Sequence, residues 1–141
     1  MTETLVRDVM SERVRLIGAD DSIKVAAEAM EADDIGAVVI VDEGRVRALV
    51  TDRDIVVRGI ARGLDPQATP VWEIASTDLV AIAADAPVSE AARVMRDRAL
   101  HRVLVFNHEQ ALSGVVTLGD VAARREPDSV LADIRNAPPN R

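Results

Sequence analysis

Two short phrases carry the residues with chemistry to offer, "VTDRDIV" from Val50 and "VTLGDVA" from Val116. Each sets a threonine three residues ahead of a carboxylate, Thr51 with Asp54 and Thr117 with Asp120. An ionised aspartate only accepts hydrogen bonds, and its two oxygens match the adjacent hydroxyl donors of a ribose. The threonine hydroxyl can donate to a phosphate or accept from the sugar. Each pair stands where a helix is expected to begin, and the open N–H groups of a helix start attract phosphate oxygens. A sugar acceptor thus lies beside a phosphate donor set, as a nucleotide requires. The same spacing also approximates a capping box, in which Thr caps the helix and Asp reaches back to a backbone N–H with no ligand involved.

The elements that position these hinges repeat. At an offset of 65 residues, "VRDVMSERVRLIGADDSIKVAAEAM" from Val6 falls on "VWEIASTDLVAIAADAPVSEAARVM" from Val71. Ile17 meets Ile82, Asp20 meets Asp85, Ala26 and Ala27 meet Ala91 and Ala92, and Met30 meets Met95. One extra residue later, Thr51 and Asp54 meet Thr117 and Asp120. Two units of this length are too few for a solenoid and suggest two similar halves. Each half opens with a short apolar turn, for which Thr4 and Thr69 are the expected N-caps and Pro70 suits the first helical position. A brief strand follows, "VRLI" or "LVAI". A helix then opens at Asp21 or Asp85, with Pro87 supporting the second start. Ile23, Ala26, Ala27 and Met30, and Val88, Ala91, Ala92 and Met95, recur at helical spacing. Next come hairpins, "AVVIVD" with "RVRALVT" and "RVLVFN" with "ALSGVVT", joined by the polar turns "DEGR" and "NHEQ". The hinge then launches a last helix, from Asp52 to about Arg62 and from Leu118 to about Arg125. The boundaries read as a first motif over 1–62, a linker over 63–69, a second motif over 70–125 and a polar tail over 126–141. The tail is expected to hold a helical turn around Ser129 to Ile134 and a disordered end, "NAPPNR".

Composition narrows the function. Seventeen basic against twenty-four acidic residues give a net charge of −7. Phosphate backbones favour basic faces, and base-stacking platforms use several aromatic rings, whereas Trp72 and Phe106 are the only aromatics here. Nucleic acid is therefore not expected as a partner, and a bound adenine would lie between aliphatic side chains. Cysteine is absent, which removes disulfides, thiolate metal sites and cysteine nucleophiles. No glycine-rich phosphate loop of the Walker or Rossmann type and no nucleophile elbow occurs. His101 and His108, without cysteine, make a poor zinc site. No enzyme and no dedicated metal site is expected. The N-terminus lacks a secretory pattern, and no apolar run approaches the roughly 20 residues of a membrane span. The expected location is the cytoplasm, away from membranes.

The phrases "DVMSERV", "DDIGAVVIVDEGRVRALVTDRDIVVR" and "HRVLVFNHEQALSGVVTLGDVA" resemble the cystathionine β-synthase (CBS) domain pair, or Bateman module. The likeness runs from about Leu5 to Ala123 and is nearest to small stand-alone actinobacterial pairs of the hypoxic-response type. It implies an α+β fold of tandem β-α-β-β-α motifs, packed with pseudo-twofold symmetry. It also implies a cleft between the motifs, one potential nucleotide site per motif, and a disc-like homodimer. Many such modules bind AMP, ATP, S-adenosylmethionine or related compounds as regulatory signals. No cofactor is obligatory, and a protein partner that reads the signal is unknown.

In the family, the segment ahead of the second strand borders the ligand cleft. Gly36 and Ala37 stand there in the first motif, and their small size lets adenine approach the backbone. His101 and Arg102 stand there in the second. Arg102 can hold phosphate bidentately, and His101 can touch sugar or phosphate. Arg53, in the first turn after Thr51, is a further phosphate candidate. Each has an alternative: turn packing for Gly36 and Ala37, an exposed pair for His101 and Arg102, a solvated surface residue for Arg53. Two places depart from the family pattern. Val39 and Leu104 replace a common proline, and Ala48 replaces a common glycine that Gly114 keeps. Unequal sites are expected, with the first pocket the more narrowed. The alternative to a nucleotide sensor is a ligand-free interaction or stress-associated scaffold that keeps the fold.

Overall fold

A computed structural model describes residues 3–125. The expectations for the tail, including a turn at Ser129 to Ile134, lie outside the described residues. The described chain forms two compact units.

The unit over Arg13–Leu79 contains a three-stranded sheet in the order β1-β2-β3: β1 (Leu16–Gly18), β2 (Ala37–Asp42) and β3 (Arg45–Thr51). Strand β1 pairs parallel to β2, with Leu16 opposite Val39, and β2 pairs antiparallel to β3, with Ala37 opposite Thr51. Helix α2 (Ile23–Asp33) makes the parallel crossover. Val38, Val39 and Ile40 are all buried, so the central strand is apolar on both faces and reads as a run rather than an alternation. Ile17, Ile23, Ala26, Met30, Val38, Ile40, Ala48 and Val50 form the core. The β2–β3 turn puts Glu43 at φ 51° and Gly44 at φ 75°, the left-handed pair that a two-residue hairpin needs.

The second unit joins the chain up to Glu12 with the chain from Val80 onward. Its sheet runs β4-β5-β6: β4 (Ala81–Ala83), β5 (Arg102–Phe106) and β6 (Leu112–Thr117), with α4 (Val88–Arg98) as the crossover and α5 (Leu118–Arg125) after the hinge. Its core includes Val88, Ala91, Met95, Val103, Val105 and Val116.

The short apolar turn that opens each sequence repeat packs with the opposite repeat. Helix α1 (Val6–Val9) seals the second unit: Val6 is fully buried in that core, and its N–H donates to the Ala86 carbonyl at 2.8 Å. The 3₁₀ turn Val71–Ile74 seals the first: Val71 and Ile74 join its core, and the Val71 N–H donates to the Asp21 carbonyl at 2.7 Å. The serine after each turn extends a sheet. Ser11 and Val115 exchange two backbone hydrogen bonds of 2.9 and 3.0 Å, as do Ser76 and Leu49. The motifs at 1–62 and 70–125 are thus units of sequence, while each compact unit takes its closing turn from the neighbouring repeat. The stretch at 63–69 is held to the first unit, where Pro66 and Thr69 carbonyls accept from the Lys24 and Ile23 N–H groups at 2.9 and 3.1 Å.

Several local expectations need correction. The N-caps of the opening turns are Leu5 and Pro70, one residue after Thr4 and Thr69. At the first of these Asp8 supplies the acceptor, taking the Leu5 N–H at 3.0 Å. Helix α2 is capped by the Ser22 hydroxyl, which accepts from the Val25 N–H at 3.2 Å. Asp21 is occupied instead by the Gly18 N–H at 2.8 Å. Helix α4 follows Pro87 and not Asp85. Strands β1 and β4 begin two residues later than "VRLI" and "LVAI", because their register is fixed by β2 and β5 rather than by their own apolarity. The first hinge helix is regular only over α3 (Asp52–Asp54) and continues as a π-helical segment over Ile55–Ile60. There Gly59 is buried, and a Cβ built on it would lie 3.6 Å from Ile23 Cδ1.

Candidate functional site

Both hinges form complete capping boxes. The Asp54 N–H donates to Thr51 Oγ1 at 3.1 Å, and the Thr51 N–H donates to Asp54 Oδ2 at 2.9 Å. Thr117 and Asp120 repeat this with the same two distances, 3.1 and 2.9 Å. The box fixes the carboxylate: Oδ2 is committed to the backbone, and the side chain is pinned where β3 or β6 turns into its helix. The two carboxylates differ in surroundings. Asp120 is 5% exposed and is the buried charged residue among the described residues. The Asp54 side chain is 15% exposed, and its Oδ1 lies 3.9 Å from Arg58 Nε, one helical turn on.

The other sequence candidates gather beside these boxes. The Asp52 N–H donates to the Gly36 carbonyl and the Leu118 N–H to the His101 carbonyl, each at 2.9 Å. Ala37 pairs with Thr51 across β2 and β3, and Arg102 pairs with Thr117 across β5 and β6. Gly36 and Ala37 therefore stand at the first hinge, and His101 and Arg102 at the second. His101 is exposed and Arg102 half-buried. Arg53 is exposed, and its own N–H is taken by Asp52 Oδ1 at 2.9 Å. Arg58 lies beyond the Thr-x-x-Asp motif, and its signal in the sequence is the i,i+4 separation of helical ion pairs that it keeps from Asp54.

The departures from the family pattern have structural consequences. The N–H of Val39 donates to the Arg15 carbonyl at 2.9 Å, and that of Leu104 to the Val80 carbonyl at 3.1 Å. A proline has no such donor, so here both carbonyls just ahead of β1 and β4 are engaged. A Cβ built on Gly114 would run into the Ser11 carbonyl oxygen and lie 3.0 Å from Met10 Sδ. Glycine there lets Ser11 pair closely with β6. Ala48 is fully buried in the first unit.

A model of the CBS domain matches residues 6–59 and again 71–126. The chain belongs to the CBS-domain family. It is 36% identical over 135 residues to Hypoxic response protein 1 of Mycobacterium tuberculosis, covering 95% of this chain and 93% of that protein. It is 33% identical over 120 residues to the CBS domain-containing protein YhcV of Bacillus subtilis, covering 85% and 84%. Among solved structures it resembles Hypoxic Response Protein I with two coordinated zinc ions, at TM-score 0.70 and 37% identity over 84% of this chain and 97% of that one. It also resembles the CBS domain pair of protein MJ0100 in complex with 5′-methylthioadenosine and S-adenosyl-L-methionine. There the TM-score is 0.78 and the identity 25%, over 91% of this chain and 100% of that one. The chain is a tandem CBS pair of mixed α and β structure, as its repeat suggests.

Proposed function

We propose that this CBS pair is a stand-alone regulatory module that binds an adenosine-containing nucleotide and signals as a homodimer to a protein partner in the cytoplasm. The observation that carries the reading is the pinned carboxylate of each hinge. Asp54 keeps Oδ1 outside its box, with Arg58 too distant to donate to it, so a ribose hydroxyl has an acceptor held in place before it arrives. Thr51 and Thr117 serve both cap and ligand. Gly36 and Ala37 leave room for adenine at the first hinge. His101 and Arg102 offer a cation and a ring at the second, and Arg53 adds charge at the first. A bound adenosine ligand in a CBS pair of similar fold supports this chemical class. The exposed apolar side chains of Val56, Val57 and Ile60, along the π segment, suit burial against a second copy.

Zinc does not transfer as readily. Among the described residues no three His, Asp or Glu side chains come together as a metal site, and cysteine is absent. No helix among them is long and apolar enough to cross a membrane.

A second reading, a ligand-free interaction scaffold, is favoured by one observation: both Thr and Asp pairs are engaged in capping boxes, a role that needs no ligand. Thermal melts with AMP, ATP, NAD and S-adenosylmethionine separate the two. A ligand at 100 times its dissociation constant adds about 2.7 kcal/mol of stability. A shift with one of them that is lost in Asp54→Ala or Asp120→Ala supports the sensor. No shift with any of the four favours the scaffold.

A further inference from the structure

The pairing at the first hinge assigns a role to a residue outside the Thr-x-x-Asp pattern. Arg58 Nε stands 3.9 Å from Asp54 Oδ1, beyond hydrogen-bond length, and the Arg58 side chain is 44% exposed. Such a long, solvated pair adds little to stability. Among the described residues the guanidinium makes no other hydrogen bond or ion pair, so its fork of donors is unspent. Arg53, nearer in sequence, is not paired with Asp54 in this way. One helical turn separates Asp54 from Arg58, which brings this cation and not Arg53 to the carboxylate oxygen left outside the box.

We infer that Arg58 is the residue that makes the first hinge select phosphorylated adenosine ligands over the uncharged nucleoside. The inference rests on the ribose reading of Asp54. When a ribose hydroxyl donates to Asp54 Oδ1, it takes up the acceptor that Arg58 faces. A neutral nucleoside then leaves the guanidinium with a weakened partner and gives nothing in return. A 5′-phosphate on the same ribose replaces that partner with a stronger one, because guanidinium and phosphate form paired, charge-assisted hydrogen bonds. The arginine therefore opposes adenosine slightly and favours AMP strongly. This is discrimination by one side chain acting on both ligands.

Calorimetric titration of the full chain with adenosine and with AMP tests this, using the native protein and its Arg58→Gln, Arg58→Lys and Arg53→Gln variants. Native protein is expected to prefer AMP by about tenfold or more. Arg58→Gln should bring the two affinities within a few-fold of each other, chiefly by weakening AMP and slightly by strengthening adenosine. Arg58→Lys should fall between, keeping charge but losing the fork. Arg53→Gln, which removes charge at the same hinge but not the group facing Asp54 Oδ1, should weaken AMP less than Arg58→Gln does. An Arg58→Gln protein that keeps the native preference, or a preference lost only in Arg53→Gln, overturns the inference while sparing the ribose reading. Native protein that binds neither ligand overturns both. Arg58 is exposed, and an unchanged melting temperature of the variants checks that folding is not what was lost.

Discussion

Asp54→Asn separates the capping role of this side chain from the ribose contact we propose for it. The asparagine carbonyl oxygen can still accept the Thr51 N–H that Asp54 Oδ2 now takes at 2.9 Å, and the Asp54 N–H still reaches Thr51 Oγ1. The box therefore survives in weakened form, and the ligand-free protein should lose no more than about 1 kcal/mol, the low end of a lost cap. A ribose diol feels a larger change, because with the amide oxygen kept in the box the outward atom becomes an NH2, which can only donate to a hydroxyl where the carboxylate accepted from it. Hydrogen bonds to charged groups contribute roughly 1.5–3 kcal/mol against about 0.5–1.5 for neutral ones, so affinity at this site should drop about tenfold. At a ligand concentration of about 100 times the native dissociation constant, native protein gains about 2.7 kcal/mol and the variant about 1.4. The nucleotide-induced rise in melting temperature should thus be nearly halved by Asp54→Asn. Differential scanning fluorimetry with and without AMP reads both effects in one experiment. An Asp54→Asn protein that melts lower on its own yet keeps the whole nucleotide shift would show that the carboxylate is a cap and nothing more. The sensor reading of the first hinge would then be refuted.

Three further outcomes follow from local geometry. Gly114→Ala should lower the urea midpoint by the equivalent of about 1–3 kcal/mol, because its Cβ has no space beside the Ser11 carbonyl and Met10. Unchanged stability would mean that the Ser11–Val115 pairing is looser than described. Ala99→Gly should raise stability by about 0.5–1 kcal/mol in the same assay, since Ala99 caps α4 at φ 54°, where glycine pays no Cβ penalty. A destabilised variant would contradict the left-handed cap. The double variant Val56→Asp with Ile60→Asp should shift sedimentation velocity from dimer to monomer with little change in melting of the monomer, because both side chains are more than half exposed. Dimers that persist in this variant would exclude the π segment as the contact between copies.

The sequence made the repeat and both hairpins legible because those features depend on local chemistry. Gly44 takes its left-handed φ of 75° without a Cβ penalty, and Asn107 folds its turn with its own side chain, accepting the Glu109 and Ala111 N–H groups at 2.9 and 3.1 Å. The hinge is legible for the same reason: Thr and Asp three apart at a helix start lie within reach of each other's backbone N–H groups. What the sequence hid is non-local. "TLVRDVM" and "TPVWEIA" look alike, and their apolar pattern says that each is buried, not in which core. Only the tertiary structure sends Val6 to the second core and Val71 to the first. Strands β1 and β4 start two residues inside the apolar runs "VRLI" and "LVAI", because three paired residues give too short an alternation to set register. The π segment after Asp54 was also invisible, since "IVVRGI" keeps helical composition whichever way its hydrogen bonds run. Arg58 lies outside the Thr-x-x-Asp spacing and meets Asp54 only through the helical turn that follows it.

Cap and ligand contact are compatible because they use different atoms of one carboxylate. At the first hinge Oδ2 stays with the Thr51 N–H, and Oδ1 faces outward toward a cation that does not bond it. A helix start must satisfy its free N–H groups whether or not a ligand is present, so the box remains needed in the empty state. Binding then orders little that is not already ordered, and affinity is not spent on fixing the acceptor. The same economy limits the signal. A ligand can move a conformational equilibrium only by its difference in affinity for the two states. A carboxylate held by its own capping box contributes little of that difference by itself. The larger share must come from groups that change partner on binding. At the first hinge we propose that Arg58 does so, by exchanging a carboxylate for a phosphate. Arg58→Gln should accordingly reduce the nucleotide-induced change in hydrogen exchange along Ile55–Ile60 even at saturating AMP, whereas Asp54→Asn should restore the full change once saturation is reached. Equal recovery in both variants would place the switching contact elsewhere.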